Sequence, residues 1–246
     1  AKTWSNKMTS WEDLCKRLST TLRTTESAEE YPNMKKVVRD AIKDKGGFVG
    51  GQLKDNRRKI DTVVCRSMLT MDADHAEVSL IDRFLQDFQY ASCVYTTHGH
   101  TPEAPRCRII VPLTRDVSPD EYVALSRFFA ADWGIDQFDE CSFKTNQLMY
   151  WPTTPSNGEF ISKTTDGAWL DPDIILATHP NWQDCSLLPT SSRESTVREN
   201  TKRPQEDPLT KTGVVGAFCR SYGIEAVIAS FLSDVYAPSA MEGRYD

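Results

Sequence analysis

The sequence predicts an α+β domain whose heart is a strand-helix-strand-strand-helix-strand unit, the ferredoxin-like or RRM-like arrangement. Three observations predict it. Hydrophobic periodicity switches repeatedly between two and 3.6 residues from Val63 to Trp151. Capping and turn residues fall between the periodic segments. The chain of 246 residues, 39% apolar and 26% charged, is long enough to bury a core and has the composition of a folded globular protein.

Before that unit, Ser10 followed by Glu12 and Asp13, with Trp11, Leu14, Cys15 and Leu18 at helical spacing, predicts a capped amphipathic helix. A basic helix is expected from about Asn33 to Lys43, ending at Gly46-Gly47. The run Gly46-Gly47-Phe48-Val49-Gly50-Gly51 reads as a loop or hairpin in which glycine permits unusual dihedrals or close backbone approach. It lacks the Lys-Ser/Thr ending of a P-loop and is not assigned as a phosphate cradle.

Val63 to Asp72 is rich in β-branched and apolar residues and predicts the first strand. Ser79 is expected to cap a helix carrying Leu80, Ile81, Phe84, Leu85 and Phe88 on its apolar face. Cys93 to Thr97 and Arg106 to Leu113 follow as strands, the second with Cys107, Ile109, Val111 and Leu113 alternating onto one face. Ser118-Pro119-Asp120-Glu121 is a capping box with Pro at the first helical position, opening a helix that stops at Gly134. Gln147 to Trp151 is the expected fourth strand, ended by Pro152. In this topology the first and third strands lie side by side, the fourth flanks the first, both helices cover one face, and the other face stays free for a site.

Seven cysteines without a CxxC pair argue against a disulfide framework and against a cysteine-rich zinc site. No stretch approaches the length of a membrane span, and Ala1-Lys2-Thr3-Trp4 has no apolar signal core, so the expected location is the cytosol. Without an initiator Met, the chain is expected to be a piece of a longer one. The net charge of −6 disfavours nucleic acid only in sum, because residues 35 to 66 carry ten Lys or Arg against four Asp. A solvated helix face would explain that run equally well.

The chemistry-bearing residues converge by strand parity. Asp72 and Asp74 lie two apart at the end of the first strand, so they share a face with Cβ atoms roughly 6.6 Å apart. Two ionised carboxylates at that distance repel by about 2.5 kcal/mol at an effective dielectric of about 20, which a bound divalent cation removes. Arg106 and Arg108 alternate with Cys107 and Ile109, which puts both guanidinium groups on the same face as the acids. His98 and His100 sit at the mouth of the hairpin, where a histidine can donate to a phosphate oxygen. Asp139, with Asp136 as the alternative, precedes the fourth strand and is expected to complete three carboxylates around Mg²⁺ or Mn²⁺.

The order Asp72-x-Asp74, Thr96-Thr97-His98 and Asp139 before a strand resembles the three motifs of archaeo-eukaryotic primases. More closely, the Gly46 to Gly51 run, Tyr95 to Pro102, Arg106-Cys107-Arg108 through Pro112-Leu113, and Leu148-Met149-Tyr150-Trp151-Pro152 resemble the primase-polymerase domain of phage and prophage replication proteins of the virulence-associated protein E group. That resemblance implies Asp72, Asp74 and Asp139 as metal ligands, His98 as the residue that contacts the incoming triphosphate, and His100 as its competitor for that role. It also implies a single-stranded DNA template, nucleoside triphosphates, and a helicase region C-terminal in the full-length protein. Gln147 departs from the family pattern, which commonly has Arg there, and Lys144 is the candidate substitute. The expected organisation is a catalytic domain over residues 1–190, a polar linker over 191–208, and a helical domain over 209–246 with Ile224, Val227, Ile228, Phe231, Leu232 and Val235 on one face.

Three other classes compete. A strand ending in Asp-x-Asp also opens the haloacid dehalogenase phosphohydrolase motif, although Ala76 stands where those enzymes want Thr or Val. His98-Gly99-His100 faintly resembles the metal site of DNA-nicking replication initiators, whose middle residue is normally bulky. A catalytically silent DNA-binding fold is the third.

Overall fold

Ser10 caps the first helix, α1 (Trp11–Leu18), by accepting a 3.0 Å hydrogen bond from the Asp13 amide, and its buried side is Leu14, Cys15 and Leu18. The computed structural model describes residues 3–194, 209 and 213–231. A short strand, β1 (Leu22–Arg23), leads through a turn at Tyr31–Asn33 to the basic helix α2 (Lys36–Lys43). That helix is shorter than the sequence suggests because Pro32 sits in the preceding 3₁₀ turn, whose following residue Met34 is already extended. The glycine-rich run then makes two strands, β2 (Gly47–Phe48) and β3 (Gly51–Leu53).

The central unit follows as β4 (Val63–Ala73), α3 (Leu80–Asp87), β5 (Ser92–Thr96), β6 (Cys107–Val117) and α4 (Pro119–Trp133). Ser118 forms the expected capping box with Glu121, whereas Ser79 makes no side-chain cap bond to α3. The first and third strands of the unit, β4 and β6, pair antiparallel at the centre, with Met71 opposite Ile109 and Asp72 opposite Arg108. β5 pairs with the other side of β6. Leu69, Met71, Ala73, Cys107, Ile109, Val111 and Val94 pack with Leu80, Phe84, Leu125 and Phe129 into the main core, so both helices lie on one face as expected.

The fourth strand does not flank the first. β7 (Met149–Tyr150) pairs with β2 in a separate two-stranded sheet, and β8 (Thr153–Thr154) pairs parallel with β1. The place beside β4 is taken by β3, and β9 (Ser162–Thr165) extends the other edge, giving the order β3-β4-β6-β5-β9. Glycine explains the pairing. A Cβ on Gly47 would meet the Met149 carbonyl at 2.1 Å, and one on Gly51 would meet the Cys65 carbonyl at 2.1 Å, so bare backbone is what lets the run touch two sheets at once.

Nor is the second face of the large sheet bare. Leu14, Cys15 and Leu18 of α1 pack with Cys93, Tyr95, Ile110 and Met149 over it in a second core. The end of the sheet that carries Asp72 stays open.

Arg66 crosses from β4 into the interior with no measurable exposure. Its guanidinium donates to the Gly50 carbonyl at 2.8 Å, the Thr145 carbonyl at 2.6 Å and Thr70 Oγ1 at 2.7 Å, and lies 3.9 Å above the Tyr122 ring. It ties the glycine run and the 145 loop to the sheet.

The chain divides into two units, Ala1–Ser195 and Thr196–Asp246. The first includes α5 (Pro172–Thr178) and runs past the expected boundary at 190. Ser191 and Glu194 are buried, Ser191 Oγ donates to Asp136 at 2.9 Å, and both Glu194 oxygens accept from Arg127, so the expected linker begins with packed residues. In the second unit, α6 (Gly213–Ser221) and α7 (Ile224–Phe231) bring Phe218 and Tyr222 to within 6.5 Å and 6.1 Å of Phe231, ring centre to ring centre. The expected helix positions Leu232 and Val235 lie outside the described residues. Among those residues no helix is long and apolar enough to cross a membrane.

Candidate active site

The open end of the sheet forms a cavity of about 370 Å³ lined by Asp72, Asp74, Asp139, His98, Arg106 and Arg108, with Lys36, Arg39 and Lys43 of α2 also contributing. β4 delivers Asp72 at its last turn of pleat, and Asp74 follows one residue past its end. The third acid arrives by backbone pairing. After Gly134 stops α4 with φ of 92°, the chain runs beside the end of β4, the His75 amide donating to the Gln137 carbonyl at 3.1 Å and the Asp139 amide to the Asp72 carbonyl at 2.8 Å. Ser142 Oγ accepts from the Asp72 amide at 2.9 Å and locks that pairing.

Asp72 is buried beneath Arg108, whose Nη2 donates to Oδ2 at 3.3 Å while its Nη1 donates to the Tyr150 carbonyl at 3.1 Å. Burial pushes the Asp72 carboxyl above its ordinary range, opposed by the Arg108 guanidinium and reinforced by Asp74 and Asp139. Asp139 behaves oppositely. Burial pushes it up, but bonds from Cys141, whose amide donates to Oδ1 at 2.8 Å, outweigh that and carry it below the usual carboxylate range. Arg106 is more exposed and approaches Asp74 to 3.8 Å.

Asp136 is turned away, accepting from Ser191 and Ser192, so Asp139 is the acid that joins the strand-end pair. His98 lines the cavity and His100 does not. His100 faces Glu159 at 3.5 Å and accepts from the Arg106 amide at 3.3 Å, which removes it from the expected phosphate-binding set. The two histidines thus each face their own carboxylate instead of sharing a ligand, contrary to what a nicking initiator needs. Lys144 is exposed and lies outside the cavity wall, and Gln147 is buried against Thr70 and Cys141, so neither supplies the expected contact.

A divalent cation fits the chemistry of the three acids. Asp72 Oδ1 is buried against Arg108 Nε in a 3.3 Å ion pair, with no hydrogen bond among the described residues, and the carboxylate oxygens offered are the hard donors that Mg²⁺ and Mn²⁺ prefer. Among the described residues no three His, Cys, Asp or Glu side chains stand as a ready-made metal cluster, so binding requires the acids to rotate toward one another.

Three contributors escaped the sequence reading. Glu26 and Thr153 bracket the His98 ring, Nε2 lying 2.8 Å from Glu26 Oε1 and Nδ1 2.9 Å from Thr153 Oγ1, and Tyr31 lies against it with ring centres 4.3 Å apart. β1 and β8 explain why they meet: their parallel pairing carries Thr24 and Thr154 together, with Glu26 and Thr153 beside the histidine.

The family model for the VapE N-terminal domain matches residues 1–191. The chain belongs to that family. Its matched span ends within the first unit, so the VapE N-terminal domain comprises the whole cavity. Among solved structures, the chain is similar to the AEP domain of the cyanophage S-2L primase-polymerase (PrimPol), at 14% identity over 58% of this chain and 76% of that one, with a TM-score of 0.40. A search of curated proteins finds no match.

Proposed function

We propose that this VapE N-terminal domain is a primase-polymerase module that joins nucleotides on a single-stranded DNA template in phage or mobile-element replication. The observation that carries the reading is the meeting of Asp139 with Asp72 and Asp74 in a cavity whose other wall is cationic. Carboxylates opposite cations suit a substrate that is itself a metal-bound polyphosphate. Held by Asp72, Asp74 and Asp139, Mg²⁺ or Mn²⁺ would help deprotonate the attacking hydroxyl and neutralise the leaving pyrophosphate.

The chain's own residues then have distinct tasks. Arg108, fixed by Asp72 and the Tyr150 carbonyl, keeps the buried acid oriented. Arg106, Lys36 and Lys43 offer charge to phosphate oxygens in exchange for weak pairs with Asp74 and Asp40, and Arg39 offers its charge beside them. His98 faces the same space. A helicase region of the full-length protein is the expected partner for template delivery.

Incubation with single-stranded template, nucleoside triphosphates and Mg²⁺ or Mn²⁺ tests the reading, with a helicase-containing form assayed alongside. Template-dependent products that vanish in Asp72→Asn support it. Metal-dependent triphosphate hydrolysis without polymer, or template binding with no turnover in either form, would replace it with a phosphohydrolase or a silent binding domain.

A further inference from the structure

His98 cannot be the simple phosphate donor that its motif suggests, because both ring nitrogens are already engaged. On the cavity side Nδ1 meets Thr153, which lines the cavity; behind the ring Nε2 meets Glu26, whose side chain is 5% exposed. Glu26 is held in turn by the Thr24 hydroxyl. Burial pushes that carboxyl up, but the bonds from Thr24 and His98 outweigh it, so the acid is kept ionised against the ring.

The two charge states of the imidazole have opposite consequences at Thr153. A neutral ring donating from Nε2 to Glu26 leaves Nδ1 an acceptor, so the Thr153 hydroxyl must spend its hydrogen on the ring and turn lone pairs toward the cavity. A ring protonated on both nitrogens donates to Thr153 from Nδ1, and the hydroxyl hydrogen is then free for an oxyanion. In the free protein burial holds the His98 pKa below its ordinary value, opposed by Glu26 and reinforced by Lys43 of α2. Tyr31, on the ring's face, carries a phenol that burial pushes up and that stays neutral. The resting state is therefore the closed one, and a polyphosphate beside the ring adds the negative charge that reverses it.

We propose that Glu26, His98 and Thr153 form a hydrogen-bond relay that makes the Thr153 hydroxyl a phosphate donor when a polyphosphate enters the cavity. Glu26 is its positioning residue. The relay rests on the reading of the cavity as a triphosphate site. Its proton balance is simple: Nδ1 takes one proton from bulk buffer as the ligand binds and returns it when the ligand leaves. No bond to phosphorus is made or broken.

Calorimetry of the full chain with a non-hydrolysable nucleoside triphosphate and Mg²⁺, in buffers of different ionisation heat at pH 7.5, counts that proton. Net uptake is expected in the wild type and its loss in Glu26→Gln, with affinity falling about tenfold, the scale of one charge-assisted hydrogen bond. Thr153→Val should weaken binding about tenfold and Thr153→Ser restore it, since only the hydroxyl matters. Uptake that persists in a folded Glu26→Gln, or a Thr153→Val that binds like wild type, overturns the relay while leaving the site intact. Should Glu26→Gln fail to fold, wild-type uptake and the Thr153 pair decide. A wild type that binds no triphosphate overturns the reading of the cavity and the relay with it.

Discussion

The Asp139 amide donates to the Asp72 carbonyl at 2.8 Å, so two acids 67 residues apart in the chain are joined by their backbones before any cation is considered. Their separation is thus set by peptide geometry, and only the side chains need to move.

That relationship gives a clean substitution. Asp139→Asn keeps an oxygen that can accept from the Cys141 amide, and Asn caps such a turn as well as Asp does. It removes the charge that a cation requires. Thermal stability should stay within about 2 °C of wild type, while nucleotidyl transfer falls by about 10³-fold, the equivalent of the several kcal/mol a metal ion contributes. Primer extension beside a melting curve checks both, and retention of activity would remove Asp139 from the metal set.

The glycine run makes a prediction about architecture. Gly47→Ala drives a Cβ into the Met149 backbone carbonyl at 2.1 Å, which cannot swing aside as a side chain would, and should destabilise the domain by about 2 kcal/mol or more. Gly99→Ala meets only the flexible Arg106 side chain, at 3.6 Å, and should stay within about 0.5 kcal/mol. Urea unfolding of the two variants separates them. Equal effects would mean that the pairing of β2 with β7 does not hold the second sheet together.

How much of this was legible in the sequence follows from the range of the forces involved. Strand parity is local, so the alternation at 69–73 and 107–109 was enough to put Asp72 and Arg108 on one face. The short strand at 149–150 was legible as extended chain, but its partner is chosen by the bare backbone at Gly47, a contact about 100 residues away. Arg66 reads as one more cation in a basic run, and only the packed carbonyls of Gly50 and Thr145 explain its burial. Glu26 stands in a polar loop, Thr24-Thr25-Glu26-Ser27, with no periodicity to mark it. Its importance arises from the parallel pairing of β1 with β8, two residues long and invisible to any window.

Acid should weaken the first unit at a known place. Arg115 links Glu121, in the first turn of α4, to Asp173, in the first turn of α5. Hydrogen bonding to Arg115 holds the Glu121 carboxyl below its ordinary range. A carboxylate depressed on folding contributes stability that is fully present above its unfolded pKa, about 4.3, and is lost as pH falls through the folded value. Urea midpoints should therefore drop below about pH 4.3 in the wild type, and Glu121→Gln should be less stable at neutral pH with a flatter acid limb. Parallel curves for the two proteins would exclude this bridge as a source of acid sensitivity.

The cationic wall of the cavity makes the sharpest demand on Arg39. Among the described residues its buried Nε has no hydrogen-bond partner, and the neighbouring lysines of the helix, Lys36 and Lys43, are both drawn to Asp40 at 2.6 Å and 3.1 Å. Those lysines are already neutralised in part; among the described residues the contact of Arg39 is the Tyr31 ring, 5.9 Å away. A phosphate oxygen would satisfy the orphaned donor and gain a charge-assisted bond in a partly dry site. Arg39→Ala should weaken triphosphate binding by about tenfold, and Arg39→Lys should recover little because an ammonium lacks the guanidinium fork. Lys36→Ala, which frees Asp40 from one partner at the exposed end of the helix, should change affinity by no more than about threefold. Equilibrium binding of a fluorescent triphosphate analogue ranks the three, and an Arg39→Ala protein that binds like wild type would move the phosphate off α2 altogether.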